Sequence, residues 1–442
     1  ASLSDNYATT GSPSITAPCL VIDGNTKNLL SGGIDLNTAV TNLQIGDFAS
    51  SSGDITINNQ GDLSLFDSDW FAPGTPSIDN PGGSVNITTS SPLNVLADVL
   101  ATGDITLIAG DNDAATTDNI TIATNVNISS TGGDVYLTAG DDITQSAGAG
   151  VISAGGGDIQ IVAGHDNDGD GLINIAGKVG SGAENLVMEA DETINALTNI
   201  STLQAKTNNA DITVTEDDGL ALNTLNAGTG NVTLTLADGS VTDNNGDDNN
   251  IVGNNLILSA FTGIGSTDAL ETAVSSLNAY NSTSGDINID NTGDLTIDDF
   301  AALGTGYGVV NEGGAVNISS TGSIDVPGTS GDGIYADGDI TLTAGVDITG
   351  GFSGGLYGEG ITLAGSDNGG ITLDAGNDIY LGQNYYSNVY ADGNISLTAG
   401  NDITADADTY VESDSGDISF DAGNNINLIT RVEGEETEVN AF

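Results

Sequence analysis

The stretch Gly393-Asn-Ile-Ser-Leu-Thr-Ala-Gly-Asn-Asp-Ile-Thr404 decides the fold. Ile395 and Leu397 alternate with Ser396 and Thr398, a period of two that predicts a strand with one apolar face. Gly400-Asn401-Asp402 then supplies turn chemistry: glycine reaches positive φ, and Asn and Asp close turns through their own side chains. Ile403 and Thr404 resume a second short strand. Outward from this stretch the phrase recurs as GDITI from Gly53, GDITLIAG from Gly103, GDVYLTAGDDIT from Gly133 and GDIQIVAG from Gly157. It returns as GDINI from Gly285, GDITLTAGVDIT from Gly338, GITLDAGNDIY from Gly370 and GDISFDAGNNIN from Gly416. Spacings among the clearest copies are 30 (133 − 103), 24 (157 − 133), 23 (393 − 370) and 23 (416 − 393).

Each repeat offers only one or two inward aliphatics per strand, too few for a core of its own. Stacking the repeats joins those positions into continuous ladders and satisfies each backbone from the copies above and below. The expected fold is therefore all-β: a parallel β-solenoid, a right-handed β-helix, with rungs of about 20–25 residues. At ~4.8 Å per rung such a rod is roughly 90 Å long.

A larger repeat overlies the small one. Leu36-Asn-Thr-Ala-Val40, followed by GDITINNQGDLSL from Gly53, matches Leu270-Glu-Thr-Ala-Val274, followed by GDINIDNTGDLTI from Gly285. The offsets are 234 (270 − 36) and 232 (285 − 53), so the chain reads as a tandem duplication. The expected partition is a segment 1–34 outside the repeat, available as an intersubunit strand, a first solenoid block 35–250, a duplicated block 251–432 and an acidic tail 433–442. Leu270, Ala273, Val274 and Leu277 also fit an amphipathic helix, with Asp268 and Glu271 as its capping box. The repeats on both sides favour short strands there instead.

Composition narrows the function. The 442 residues include 62 Asp+Glu, four Lys+Arg and one His, a formal net charge of −58. Nucleic acids and anionic membrane surfaces require basic patches that four scattered cations cannot make. Cys19 alone excludes a disulfide scaffold, and no apolar run is long enough to span a bilayer. Hydrophobic residues at 38% and a mean hydropathy of −0.02 argue against disorder. The chain starts at Ala1 without methionine and is poor in Cys and Lys, which predicts an exported product after removal of a secretion signal.

The units GDITLTAG-NDIT and LxTAVxxLNA…TSGDINI resemble the haemagglutinin-type repeats of bacterial filamentous-haemagglutinin-like exoproteins, over about Leu36 to Leu428. The resemblance implies an extracellular β-helical rod used in adhesion or surface structure. It brings no catalytic residue with it. The Asn-Pro-Asn motifs of that family's secretion module do not occur in this chain.

The sharpest local motif is Asp166-Asn-Asp168-Gly-Asp170-Gly171, the D-x-D-x-D-G opening of a calcium loop. Its twelfth position is Gly177 where an EF-hand has Glu, so Ca2+ would need backbone carbonyls or Asn174 to complete its shell. A solvated acidic loop is the simpler alternative, with His165 beside it as an exposed loop residue. Tyr380, Tyr385, Tyr386 and Tyr390 are candidates for stacking on a glycan or for a subunit contact. Trp70-Phe71, in a Pro-rich insertion with Pro73, Pro76 and Pro81, reads as a loop anchor or interface. Lys27, Lys178, Lys206 and Arg431 are scattered in sequence, and His165 stands far from Cys19, so neither lyase nor triad chemistry is legible. The expectation is a non-enzymatic, secreted cell-surface rod that associates with itself head to tail into filaments and adheres to host or matrix glycans, with no nucleic-acid partner and no membrane insertion. The alternative is a β-helical polysaccharide-active enzyme or carbohydrate-binding module.

Overall fold

A computed structural model describes residues 3–4, 13–23, 32–46, 53–68, 70–110, 117–165, 169–299, 307–327, 333–350, 361–366, 368–382, 387–407, 409–434 and 437–441. The chain is all-β. Among the described residues there is no helix, and the strand pairings are parallel. It forms two compact units, Ala1–Asp217 and Asp218–Phe442.

In the first unit, strands of the GDITL type pair in register with the same strand of the next repeat. Val85–Thr89 lies against Ile105–Ala109, which lies against Val135–Ala139, which lies against Asp158–Val162. Two further ladders run alongside. One contains Leu93–Val95, Ile120–Ile122 and Ile143–Gln145; the other contains Val99–Ala101, Ile128–Ser130 and Val151–Ser153. Both converge on Ile173–Val179, which takes Ile143–Gln145 through its first residues and Val151–Ile152 through its last. Its pairing with Ile194–Thr198 shifts register between Ile175 and Lys178. From there the unit continues with two strands per repeat instead of three.

The second unit makes the opposite change. Ser276–Asn281 divides its pairing between Leu295–Ile297 and Val309–Asn311, and three ladders follow. Ile340–Ala344, Ile371–Ala375, Ile395–Ala399 and Ile418–Ala422 make the first of them. The helical alternative for Leu270–Leu277 does not hold: Leu270–Ala273 and Ser276–Asn281 are strands. Leu270, Thr272 and Val274 are buried while Glu271 and Ala273 between them are less so, a period-two arrangement that pairing of Leu270–Thr272 with Ile289–Asn291 rewards and a helix would break.

Alternate side chains point inward. Ile105, Leu107, Val135, Leu137, Ile159 and Ile161 are all fully buried, and each stacks on its equivalent. Burial of one such side chain contributes about 1.5–3 kcal/mol. The aspartate of the repeated Gly-Asp explains its own recurrence. Asp104 Oδ1 accepts the Asp134 N–H at 3.0 Å, and Asp134 Oδ1 accepts the Asp158 N–H at 2.9 Å. In the second unit Asp347, Asp378 and Asp402 repeat the pattern: Asp347 Oδ1 accepts from Asp378 N at 3.1 Å and Asp378 Oδ1 from Asp402 N at 2.9 Å. Asn401 adds a side-chain bond to Asp378 at 2.8 Å. Part of the acidity is therefore scaffolding, in which one repeat's carboxylate holds the backbone of the next.

Candidate functional site

The contraction from three strands per repeat to two leaves a cleft of about 320 Å³ in the first unit. Its floor is small because Ala163, Ala190 and Thr207 are buried there, with Ala190 and Thr207 directly paired. Outward of the floor runs the column Val162, Glu189, Lys206, each opposite the next across the ladder. Glu189 and Lys206 are exposed at the cleft wall. Gly164 and His165 close one side, and Asp191 and Asn208 the other.

The backbone that carries His165 is anchored. Its N–H donates to the Ala139 carbonyl at 3.3 Å, and the Gly164 N–H to the Asp141 carbonyl at 3.1 Å. Gly164 (φ +72°) and Gly171 (φ +145°) pack backbone to backbone; a Cβ on Gly171 would lie 2.4 Å from Gly164 Cα. Only glycine permits both that approach and those angles. Thr207 is held by the Ala210 carbonyl, which accepts its hydroxyl at 2.5 Å.

Two of the chain's five Lys, Arg and His residues thus line one cleft. Of the others, Lys178 forms an ion pair with Asp217, Lys27 lies outside the described residues, and so does the Arg431 side chain. Lys206 forms no ion pair within 4.0 Å among the described residues. Sequence reading separates His165 from Lys206 by 41 positions (206 − 165) and misses Glu189, Asp191, Thr207 and Asn208 as their companions. The signal that finds them is register: Val162, Glu189 and Lys206 occupy one outward position in three successive strands.

The other candidates fall elsewhere. Asp166 and Asp168 lie outside the described residues; Asp170 is half-buried between Gly169 and Gly171, both at positive φ. Among the described residues no three His, Cys, Asp or Glu side chains are grouped to hold a metal ion. Tyr385 and Tyr386 are also outside the described residues. Tyr380 and Tyr390 sit on different ladders, in Ile379–Leu381 and Ser387–Ala391. Tyr380 donates its hydroxyl to Asp378 at 3.0 Å, and Tyr390 to Asp414 at 2.8 Å. The Asp414 bond, with burial and neighbouring carboxylates, pushes the Tyr390 phenol up to about 12. Trp70 is 74% exposed, while Gly46 faces the ring of Phe71.

Acidic groups that look like ligands turn out to cap backbone. Glu184 is fully buried, yet its carboxylate accepts from the Ser181 N–H at 2.8 Å, the Ser181 hydroxyl at 2.7 Å and the Ala183 N–H at 3.0 Å. Burial alone would raise its pKa; these bonds outweigh burial and lower it. Asp243 behaves likewise, through Asn245, Asn250 and Gly246.

Comparison with protein-family models, with curated proteins and with solved structures found no match for the chain. The cleft is therefore read from its own chemistry: a local ammonium and an imidazole facing carboxylates, a hydroxyl and an amide over an apolar floor.

Proposed function

We propose that the chain is a right-handed β-solenoid of the filamentous-haemagglutinin-like kind, a non-enzymatic extracellular element of cell-surface structure or adhesion that assembles end to end with its own copies. One observation carries the reading. Successive repeats pair strand on strand in parallel register, and the recurrent Asp and Asn side chains hold the next repeat rather than a substrate. Composition supports export, and the acidity of the outer face suits a soluble surface element. Imaging of the purified protein by negative stain, with sedimentation over a range of concentrations, tests the assembly. Fibres that disappear when residues 1–22 are deleted are expected; monodisperse particles at every concentration would sink it. A hydrolysis and elimination screen on plant, algal and bacterial polysaccharides tests the non-enzymatic part, which reproducible turnover overturns.

Calcium belongs to the same proposal, at Asp166, Asp168 and Asp170. A ligand bound only by the folded state raises the melting temperature by mass action. Melts with calcium and with chelator should differ, and replacing all three residues by Asn should remove the difference. Superimposable melts for the unmodified chain would eliminate the site.

A further inference from the structure

From the cleft at His165 and Lys206 we infer a binding site for a hexuronate unit of an acidic polysaccharide. The chain as a whole repels anions, so attraction for a carboxylate must come from local groups. Lys206 is exposed and without an ion pair among the described residues, and His165 lies across the same cleft. Both can face a ligand carboxylate, with the ammonium supplying the charge. Glu189 and Asp191 are then in place to accept from sugar hydroxyls, as carboxylates in sugar sites do, and Asn208 can donate or accept. A ligand rich in charge but poor in hydroxyls, such as a polyphosphate, would meet those two carboxylates unfavourably. A neutral sugar would bring no anion to Lys206, which forms no ion pair with Glu189 or Asp191. A sugar bearing one carboxylate and several hydroxyls matches both halves of the cleft. The volume of about 320 Å³ is at the low end of small-ligand sites, which run from about 300 to 1,000 Å³, so one ring is the expected occupant.

A second, independent observation points to the same place. The duplicate of GDIQIVAG from Gly157 is GNISLTAG from Gly393, and there Gly400 runs directly into Asn401-Asp402 and the next strand. Asn401 and Asp402 both bond to Asp378, as the scaffold requires. The first copy departs from its duplicate here, placing His165 after Gly164 and returning only at Gly171.

The inference rests on the adhesive reading for its use, since it names an adhesion target, but its test does not depend on fibres. The soluble full-length chain is titrated, in chelator so that calcium cannot bridge, with trisaccharides of galacturonate, glucuronate and mannuronate and with their carboxyl-reduced counterparts. At least one uronate should bind, and its reduced form should bind about tenfold more weakly, the usual size for one lost charge-assisted hydrogen bond. Lys206→Gln should weaken binding by a similar factor at an unchanged melting temperature, and His165→Gln by less. Lys178→Gln, which removes a cation already paired with Asp217, should leave binding intact. Equal binding of acidic and reduced sugars, wild-type affinity in Lys206→Gln, or no binding of any uronate up to millimolar concentration would each overturn the site. Uronate binding without fibres would refute assembly alone, and fibres without uronate binding would refute this site alone.

Discussion

Thr38 and Thr272 stand 234 residues apart (272 − 38) and make the same bond: each donates its hydroxyl to a buried asparagine, Asn59 and Asn291, at 2.9 Å. The same two amide oxygens accept the N–H of Val40 at 2.8 Å and of Val274 at 3.1 Å. Asn80 Nδ2 bonds the carbonyls of Gly53 and Ser84, as Asn311 Nδ2 bonds those of Gly285 and Ala315. Even the inserted loops are held alike. Buried Gln44 reaches Thr75 and the Pro76 carbonyl, and buried Asn278 reaches the Gly308 carbonyl. What differs is what the loops display. The first leaves Trp70 in solvent; the second puts Tyr307 against Tyr335, with ring centroids 5.9 Å apart. The buried polar bonds recur at matched positions of the two units, and the outward residues differ.

The sharpest way to break this comparison is to remove the asparagines. Asn59→Ala and Asn291→Ala should each cost about 2–4 kcal/mol, because each strands a buried N–H and a buried hydroxyl. Denaturant titration should give matching losses, and a large cost in only one copy would show that the two latches are not equivalent. Gln44→Ala and Asn278→Ala should cost less, about 1–2 kcal/mol each. Amide exchange should accelerate in residues 66–77 for the first and near residues 307–308 for the second, with the strands protected.

The two units also hold glutamates with opposite titration. Glu184 has a lowered pKa, so its stabilisation is present above the ordinary glutamate value of 4.5 and is lost as pH falls through the folded value. Glu271 is raised, first by burial and then by Asp243, Asp268 and Asp290, against the Glu271 N–H. Its contribution is present below 4.5 and is lost as pH rises through the folded value. At neutral pH Glu184→Gln should therefore lower the melting temperature and Glu271→Gln should raise it. Both differences should shrink on acidification; shifts of one sign for both variants would refute the assignment. The smallest effect concerns Tyr390. Ultraviolet titration should find one phenol ionising near pH 12, and Tyr390→Phe or Asp414→Asn should abolish that late step.

The alternation in Gly393–Thr404 was enough to place strands, inward aliphatics and parallel stacking, because period two has one physical reading when it recurs between turns. The Leu270–Leu277 segment was ambiguous locally, and only pairing with Ile287–Asn291 decided it. The cleft was not legible. His165 and Lys206 come together because repeats shorten between Ile173 and Thr207, and a change of repeat length leaves no mark on residue type. The buried roles of Glu184 and Asn59 were equally hidden, since a capping carboxylate and a solvated one look the same in a sequence.

Gly164 and Gly171 pack backbone against backbone, so the ends of any segment inserted between them already meet. Closing such a loop costs an entropy that grows only with the logarithm of its length. Asp158–Val162 and Ile173–Val179 can therefore keep their partners while the intervening residues are lengthened, shortened or exchanged. Selection can act on that loop much as it acts on the variable loops of a recognition domain, trying new surfaces at one repeat while the neighbouring repeats stay constant. A lineage carrying this chain should accumulate its insertions and deletions between paired glycines, and hardly at all within Ile159–Ile161 or Ile173–Ile175.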